Sequence, residues 1–407
     1  MNRIAIIILI SFLAIPCCFC SDAGEARISF AGDIIMHIPV KTSARSHDVI
    51  GIETKTSRNN SGYDFLFYQI KDLLKLSEIV LGNMEFPVSP PFESKPKVFN
   101  CSPEVIGGMK WAGFNMVTIA NNHILDQGDQ GVVNTMRILR QNKMDYIGVG
   151  VDEAAARTGI VKTVHGIRIG FIGYTGYLNY PKPKKQAEYH LNWLYDKEEI
   201  RQDIEELKKR CDYLVMVVHT GVEYMTIPRE SDSVLFKNCI NYGVDLVIGH
   251  HPHLLQPVEK VMADDGRECY IFYSLGNFIS NQSTRTASYF DGAPLTTRDS
   301  IIVSCILKRS GNGKRPVVRF DVVPVYTKNI VEKGTNLRVI QTVPISREIQ
   351  DLKKELAHAD AKEKVDIERQ LQNLYQKLKA IRLALYRNKD TQDVKEITYR
   401  DNSGGYE

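Results

Sequence analysis

Six of the ten histidines, His37, His123, His219, His250, His251 and His253, stand at or just after the ends of short apolar runs, beside Asp, Glu or Asn. Imidazole and carboxylate are the groups that borderline divalent metals take, so the chemistry to look for is metal-assisted. The densest cluster is Gly249-His250-His251-Pro252-His253 after Val247-Ile248. Three imidazoles in four positions, stiffened by a proline, are costly for a core and suit a metal. Val217-Val218-His219-Thr220-Gly221-Val222-Glu223-Tyr224 sets another histidine at a run's end, and Gly221 lets backbone approach closely. Thr118-Ile119-Ala120-Asn121-Asn122-His123 offers an amide oxygen ligand and a proton donor within one turn. Asp33 closes Ile28-Ser29-Phe30-Ala31-Gly32, with His37 four residues on. Asn83 and Glu85, two apart on an extended segment, point the same way. Tyr273-Ser274-Leu275-Gly276-Asn277-Phe278 brings Ser274 and Asn277 to the same rim. Taken singly, Asp33 reads more often as a cap, Asn83–Glu85 equally as a turn, Ser274 as a turn, and His219 more often as a satisfied structural group. Six such elements in one frame read as a metal site.

These residues need a frame that gathers strand ends. The runs 27–31, 79–81, 116–120, 167–173, 213–218, 245–248 and 270–273 are short and almost wholly apolar, the mark of buried strands. Amphipathic stretches at 64–77, 130–141, 197–210 and 230–242 read as helices between them. Strand and helix in alternation predict a layered α/β body, whose ligands bind beyond the carboxyl ends of the strands. The runs 300–307 and 317–324 have no helix between them and predict an antiparallel pair.

The flanks differ from the body. Met1–Arg3 give a positive start, Ile4–Ile15 an apolar core, and Cys18 and Cys20 small residues two apart, so 1–23 reads as an export signal; acylation of Cys17 or Cys18 as a lipid anchor is an open second reading. The expected location is the periplasm, the cell surface or the medium. Five cysteines then remain, an odd number too sparse for a disulfide scaffold. From 346 to 407, 25 of 62 residues are charged, and Ile349, Leu352, Leu356, Ile367, Leu371, Leu374, Leu378, Ile381 and Leu385 follow 3/4 spacing with one change of phase. This predicts a long helix or helical hairpin over 346–387, either an arm for self-association or docking or a helix packed back on the body. Residues 388–407 are polar and are expected to be disordered.

Composition excludes several classes. With 407 residues, 43% hydrophobic and 25% charged, the chain is globular, and a net charge of +4 is far from the basic footprint of a nucleic-acid binder. Two local basic stretches, 95–97 and 182–185, could line a groove for an acidic chain, or be solvated loops.

The ordered set of Gly32-Asp33, Asn83-Met84-Glu85-Phe86-Pro87, Asn121-Asn122-His123 with Asp126 and Gly128, His219-x-Gly221-x-Glu223-Tyr224, Gly249-His250-His251-Pro252-His253 and Ser274-Leu275-Gly276-Asn277-Phe278 resembles the CapA family of poly-gamma-glutamate capsule synthesis proteins. That domain is similar to calcineurin-like metallophosphoesterases, and the resemblance runs from about 27 to 325. It implies a four-layer α/β/β/α sandwich of two mixed sheets over 24–345, followed by the helical extension. It further implies one or two divalent ions, manganese, zinc or iron rather than magnesium alone, held among Asp33, His37, Asn83, Glu85, Asn122, His219, His251 and His253. His123, Asp33 and Asn122 would be catalytic, and Glu223, Tyr224, His250, Ser274 and Asn277 would face substrate. Two departures stand out: Ile35 replaces the first histidine ligand, with His37 nearest, and neutral Asn83 replaces the bridging aspartate, leaving Glu85 for that task. The implied function is an exported hydrolase acting on an acidic or phosphorylated envelope polymer, beside membrane-bound capsule synthesis proteins. The rival is a non-catalytic accessory protein for polymer export or anchoring.

Overall fold

In Tyr213–His219, Tyr213, Val215 and Val217 join one apolar cluster while Leu214, Met216 and Val218 join another, and all six are buried. Strand residues alternate sides, so this strand is covered on both faces. Ile79 and Leu81 likewise part from Val80, and Tyr270 and Phe272 from Ile271. Three apolar layers between four layers of secondary structure follow from that alternation.

The computed structural model describes residues 24–47, 60–184, 186–284, 287–290, 292–309, 315–332, 334–387 and 393–398. The expected signal segment 1–23 lies outside them. The first sheet begins with β1 (Glu25–Ile34), β2 (Ile79–Met84), β3 (Met116–Thr118) and β4 (Asp145–Ile147). After the short β5 (Val149–Gly150), the chain enters the second sheet with β6 (Ile160–Val164) and β7 (Ile167–Thr175); β8 (His190–Leu191) pairs back on β5. Next come β9 (Tyr213–His219), β10 (Leu246–His250), β11 (Val258–Met262) and β12 (Glu268–Phe272). The first sheet resumes at β13 (Asn277–Ile279), pauses for a ribbon of β14 (Ala287–Phe290) and β15 (Ala293–Thr296), and ends with β16 (Asp299–Lys308), β17 (Val317–Val331), β18 (Arg338–Pro344) and β19 (Val394–Glu396). Strand order is β18-β17-β16-β1-β2-β3-β4 in the first sheet, with β13 on β1 and β19 on β17, and β11-β12-β10-β9-β7-β6 in the second. Both sheets are mixed. Their central strands β1–β4, and β7, β9, β10 and β12, run parallel, so their carboxyl ends share an edge.

Helices α1 (Ile38–His47), α2 (Lys71–Leu74), α3 (Glu104–Ala112) and α4 (Gly128–Gln141) cover the outer face of the first sheet; α5 (Glu153–Arg157) is a single short turn. On the second sheet lie α6 (Lys197–Lys208) and α7 (Glu230–Tyr242). The architecture is the expected α/β/β/α sandwich. The antiparallel pair β16–β17 is present. The helix expected over 64–77 is instead a 3-10 turn, Phe65–Phe67, followed by α2. Phe65, Leu66 and Phe67 are all buried, and three consecutive interior residues do not fit one face of a surface helix.

The C-terminal stretch is a hairpin of α8 (Ile345–Leu356) and α9 (Ala361–Leu385). The change of phase marks the break, where Asp360 caps α9 and Glu363 returns the bond in a capping box. Ile349, Leu352, Ile367, Leu371, Leu374, Ile381 and Leu385 are buried in the cluster between the sheets, so the hairpin packs back on the body. Residues 393–398, expected to be disordered, are ordered: Val394–Glu396 pairs with Phe320–Val322, and Asp393 accepts from Tyr270 and Lys260. All five described cysteines are buried and unpaired.

Candidate metal centre

Each strand delivers its polar residue through a local device. In β1, the register with β2 jumps between Ala31 and Asp33, a bulge that re-aims the carboxylate. Gly32 is obligatory there, since a Cβ would lie 2.0 Å from Gly276 O. Gly249 is bound likewise, its Cβ falling 2.0 Å from Tyr273 O. Beyond it the chain turns through positive φ at His251 (98°) and His253 (58°), and Tyr224 (66°) does so in the neighbouring loop. Such strain in non-glycine residues gathers where a site is built.

Asp33 is fully buried. Its Oδ1 accepts from Asn83 Nδ2 at 2.8 Å, and Oδ2 meets His253 Nδ1 at 3.2 Å. His250 Nδ1 approaches Oδ1 at 3.0 Å but off the line of a hydrogen bond, and both His250 nitrogens lack a partner. Burial raises the Asp33 pKa, yet the close approach of His250 and His253, with their positive charge, outweighs it and holds it well below the usual carboxylate range. His253 Nδ1 also lies 3.0 Å from Asn277 Oδ1, which leaves its Nε2 facing inward.

Glu85 is the odd member. Its Oε1 is buried without a partner, yet it lies 4.0 Å from His123 Nε2, 3.9 Å from His219 Nε2 and 4.0 Å from His253 Nε2. Burial, then the charges of Asp33, Glu223 and Asp126, push its pKa well above the ordinary value. Asp33, Glu85 and His253 each offer a ligand atom within 4.8 Å of one another. An unpartnered buried carboxylate oxygen among imidazole nitrogens fits a divalent cation, and the mixed oxygen and nitrogen set suits manganese, iron or zinc better than magnesium.

The other expected residues fall in three groups. Asn83, Asn122 and His219 adjoin the three donors: His219 Nδ1 lies 3.1 Å from Asn83 Nδ2 and its Nε2 2.8 Å from Asn122 Oδ1. Burial and the neighbouring histidine charges hold the His219 imidazole well below its ordinary pKa. The His251 ring lies tilted against that of His219 with centroids 4.9 Å apart, its Nδ1 unpartnered, and burial, then charge at His253, lowers its pKa to about 3. His123 is the more accessible member, its side chain 11% exposed against 0% for Glu85.

His37 sits beside the donor group rather than in it. Its Nδ1 accepts from Asn281 N at 3.2 Å and its ring meets the edge of Phe99. Glu223 is exposed, while the Tyr224 ring lies 6.0 Å from His253. Three residues expected to face substrate are interior: His250 and Asn277 are fully buried, and Ser274, 1% exposed, accepts through Oγ from Gly276 N. Asn277 instead orients His253, its Nδ2 donating to Thr297 O.

Four contributors had been given no role. Asn121 Nδ2 bonds Asn83 Oδ1 and Met84 O, and its Oδ1 accepts from His123 N. Asp126 Oδ2 accepts from His123 Nδ1 at 2.8 Å. Asn179 accepts from Asn122 and its Nδ2 lies 3.5 Å from His123 Nε2, and Tyr177 lies 4.9 Å from the His251 ring. Asn121 and Asp126 lay inside a motif already read; Tyr177 and Asn179 follow β7, and their signal was position after a buried strand.

A cavity of about 560 Å³ is lined by Leu178, Lys182, Lys184 and Trp193. Asp152, Glu153, Asp196 and Glu199 line it too. The Lys182 ammonium lies 3.9 Å over Trp193. Among the described lining residues, carboxylates therefore outnumber lysines; Lys185 of the basic stretch lies outside the described residues.

The family described as Bacterial capsule synthesis protein PGA_cap matches residues 27–282. The Capsule biosynthesis protein CapA of Bacillus anthracis is 28% identical over 67% of this chain. The match covers 65% of that protein, so the chain spans just under two thirds of its length. The PGA biosynthesis protein CapA of Bacillus subtilis (strain 168) is 30% identical over 73% of this chain and 70% of its own. Among solved structures, a novel phosphatase of Mycoplasma pneumoniae is a remote likeness, with TM-score 0.44 and 12% identity over 74% of this chain and 94% of that one.

Proposed function

The chain belongs to the bacterial capsule synthesis protein family, and from that premise we propose that it is an exported, metal-dependent hydrolase acting on an acidic envelope polymer of the poly-gamma-glutamate kind. One observation carries the reading: Glu85 Oε1, buried and unpartnered, with three imidazole Nε2 atoms 3.9–4.0 Å away. A buried carboxylate oxygen without a partner is costly, and a cation would complete it.

Asp33, Glu85 and His253 would hold the ion, which when bound supplies Lewis-acid polarisation of a carbonyl or phosphoryl oxygen and an activated water. Asn277 and Asp33 keep the His253 proton on Nδ1, so Nε2 presents its lone pair. His123 is bonded through Nδ1 to Asp126 and turns Nε2 toward Glu85; protonated there, it donates to a leaving group. Asn83 and Asn122 hold the His219 ring from either nitrogen. The donors' burial keeps bulk water out, which strengthens every charge in the centre.

The experiment is metal content by elemental mass spectrometry on wild type, Glu85→Gln and Asp33→Ala, with chain shortening of poly-gamma-glutamate measured in wild type and His123→Ala. Bound manganese, iron or zinc lost from both ligand variants, with hydrolysis lost from His123→Ala, supports the proposal; a wild type that binds no metal after reconstitution sinks it. A second reading has its own observation: His219 has both nitrogens engaged and 0% exposure, as suits a structural centre in a non-catalytic accessory protein. Metal binding with no hydrolysis and full function in cells of His123→Ala selects that reading.

A further inference from the structure

The turn 296–300 is built round Asp299, which is fully buried. Its Oδ2 accepts from Thr296 N at 2.7 Å and from Thr296 Oγ1 at 2.9 Å. Two links leave this turn for the metal centre. In the first, Thr297 O accepts from Asn277 Nδ2 at 2.8 Å, and Asn277 Oδ1 meets His253 Nδ1 at 3.0 Å. In the second, Ser300 Oγ donates to Leu275 O at 2.7 Å and Ser300 bridges Gly276, whose carbonyl accepts from Asp33 N at 2.9 Å. The second link is tight, because a Cβ on Gly276 would meet Asp299 O at 2.5 Å.

A carboxylate sealed from water requires a counter-charge. For Asp299 it comes from the helical hairpin: Lys377 of α9 places Nζ 2.5 Å from Oδ1 and also reaches Thr296 Oγ1 at 3.4 Å. The Lys377 ammonium lies 5.7 Å over the Tyr326 ring, which limits where it can go. Asp299 and Lys377 both lie beyond the family-matched residues 27–282, while Asp33, His253 and Asn277 lie within them.

We propose that Lys377 is a positioning residue for the metal centre: its ion pair with Asp299 sets the 296–300 turn, and through it the Asn277–His253 and Gly276–Asp33 contacts. The hairpin is then a working part of the centre rather than an appendage. This rests on the metal-centre reading for one of its two readouts only.

The test compares Lys377→Met and Lys377→Arg with Lys328→Met. Lys328 pairs with Glu348 of α8 at 2.6 Å and ties down the same hairpin without touching the turn. The readouts are manganese affinity by titration and the ring-nitrogen NMR resonances of His253 in metal-free protein. Expected is a loss of affinity of about tenfold or more in Lys377→Met, of the size that outer-shell partners produce. It comes with shifted His253 resonances, recovery in Lys377→Arg, and neither change in Lys328→Met. Unchanged affinity and unchanged His253 resonances in Lys377→Met overturn the proposal, as does an equal effect of Lys328→Met. A wild type that binds no metal while His253 still responds to Lys377→Met defeats the hydrolase reading and supports the coupling. Should Lys377→Met fail to fold, Lys377→Gln, which keeps an N–H for Asp299, is read against Lys328→Gln by the same criteria.

Discussion

His123 donates through Nδ1 to Asp126 at 2.8 Å and, on its other side, faces Glu85 Oε1 with Nε2 at 4.0 Å. One bond thus decides which nitrogen the centre sees. Asp126 accepts as well from Phe99 N, and the Phe99 ring lies 4.2 Å from that of His123, so the imidazole is held from two sides. Asp126→Asn can donate to Nδ1 and stabilise the wrong tautomer. We expect it to lower turnover about 10- to 100-fold, and His123→Ala to lower it about 10²- to 10⁴-fold, with metal content unchanged in both. Steady-state rates beside elemental analysis check this; loss of metal from either variant refutes the assignment.

Glu85 is held well above its ordinary pKa, first by burial and then by Asp33, Glu223 and Asp126. In metal-free protein its ionisation therefore opposes folding, increasingly as pH rises past the ordinary value. Glu85→Gln should raise the metal-free Tm more at pH 8 than at pH 5 while weakening metal affinity about 100-fold or more. Thermal scans at both pH values, without and with manganese, decide it. A variant whose metal-free Tm falls at pH 8 contradicts the reading.

His37 Nδ1 accepts a backbone N–H, which requires the neutral ring. Burial, then charge at His253 and His123, lowers its pKa from 6.5 to about 4. The unfolded chain binds the extra proton between those values, so stability is present above about pH 6.5 and is lost as pH falls toward 4. His37→Gln should flatten that loss by about 2 kcal/mol, measured by denaturant unfolding at pH 7 and pH 4.5. An unaltered slope refutes the assignment.

Gly249 has no room for a methyl group, because Tyr273 O would lie 2.0 Å from it. Gly249→Ala must push β12 off β10 or displace the His250–His253 turn. A loss of about 3 kcal/mol or more, with lost metal affinity, is expected from equilibrium unfolding and titration. A variant of native stability and affinity would count against this packing.

Leu371 belongs to the cluster between the sheets, although its spacing also suited a self-association seam. Leu371→Ala should cost about 2–5 kcal/mol, as core truncations do. Its oligomeric state by sedimentation should equal that of wild type. A changed state at unchanged stability would favour the seam.

The strands were legible because residues covered on both sides must be apolar in sequence, as in 213–218 and 245–248. The centre was legible because parallel strands end at one edge, so a polar residue after each run converges with the others. Helix α1 was hidden because it buries Lys41, Ser43 and His47 with its apolar residues, which erases the amphipathic stripe. Asn277 was legible as a residue of the rim, but nothing in its spacing separates a residue facing substrate from one that contacts His253. Pairs such as Lys377 and Asp299 are joined only by topology, and local pattern does not reach them. The hairpin break was visible in the change of phase of the apolar spacing, while the face the hairpin buries was decided by the apolar cluster it joins.

The five described cysteines are shared among the three apolar layers: Cys101 in the first, Cys305 between the sheets, and Cys211, Cys239 and Cys269 on the outer face of the second. Burial pushes the thiols of Cys101 and Cys211 up to about 11 and that of Cys239 up to about 12, so none is nucleophilic while its layer is closed. Each layer therefore carries its own clock. The rate at which an alkylating reagent consumes each thiol in the native protein times the opening of that layer, and the order in which the five are consumed is the order in which the sandwich comes apart.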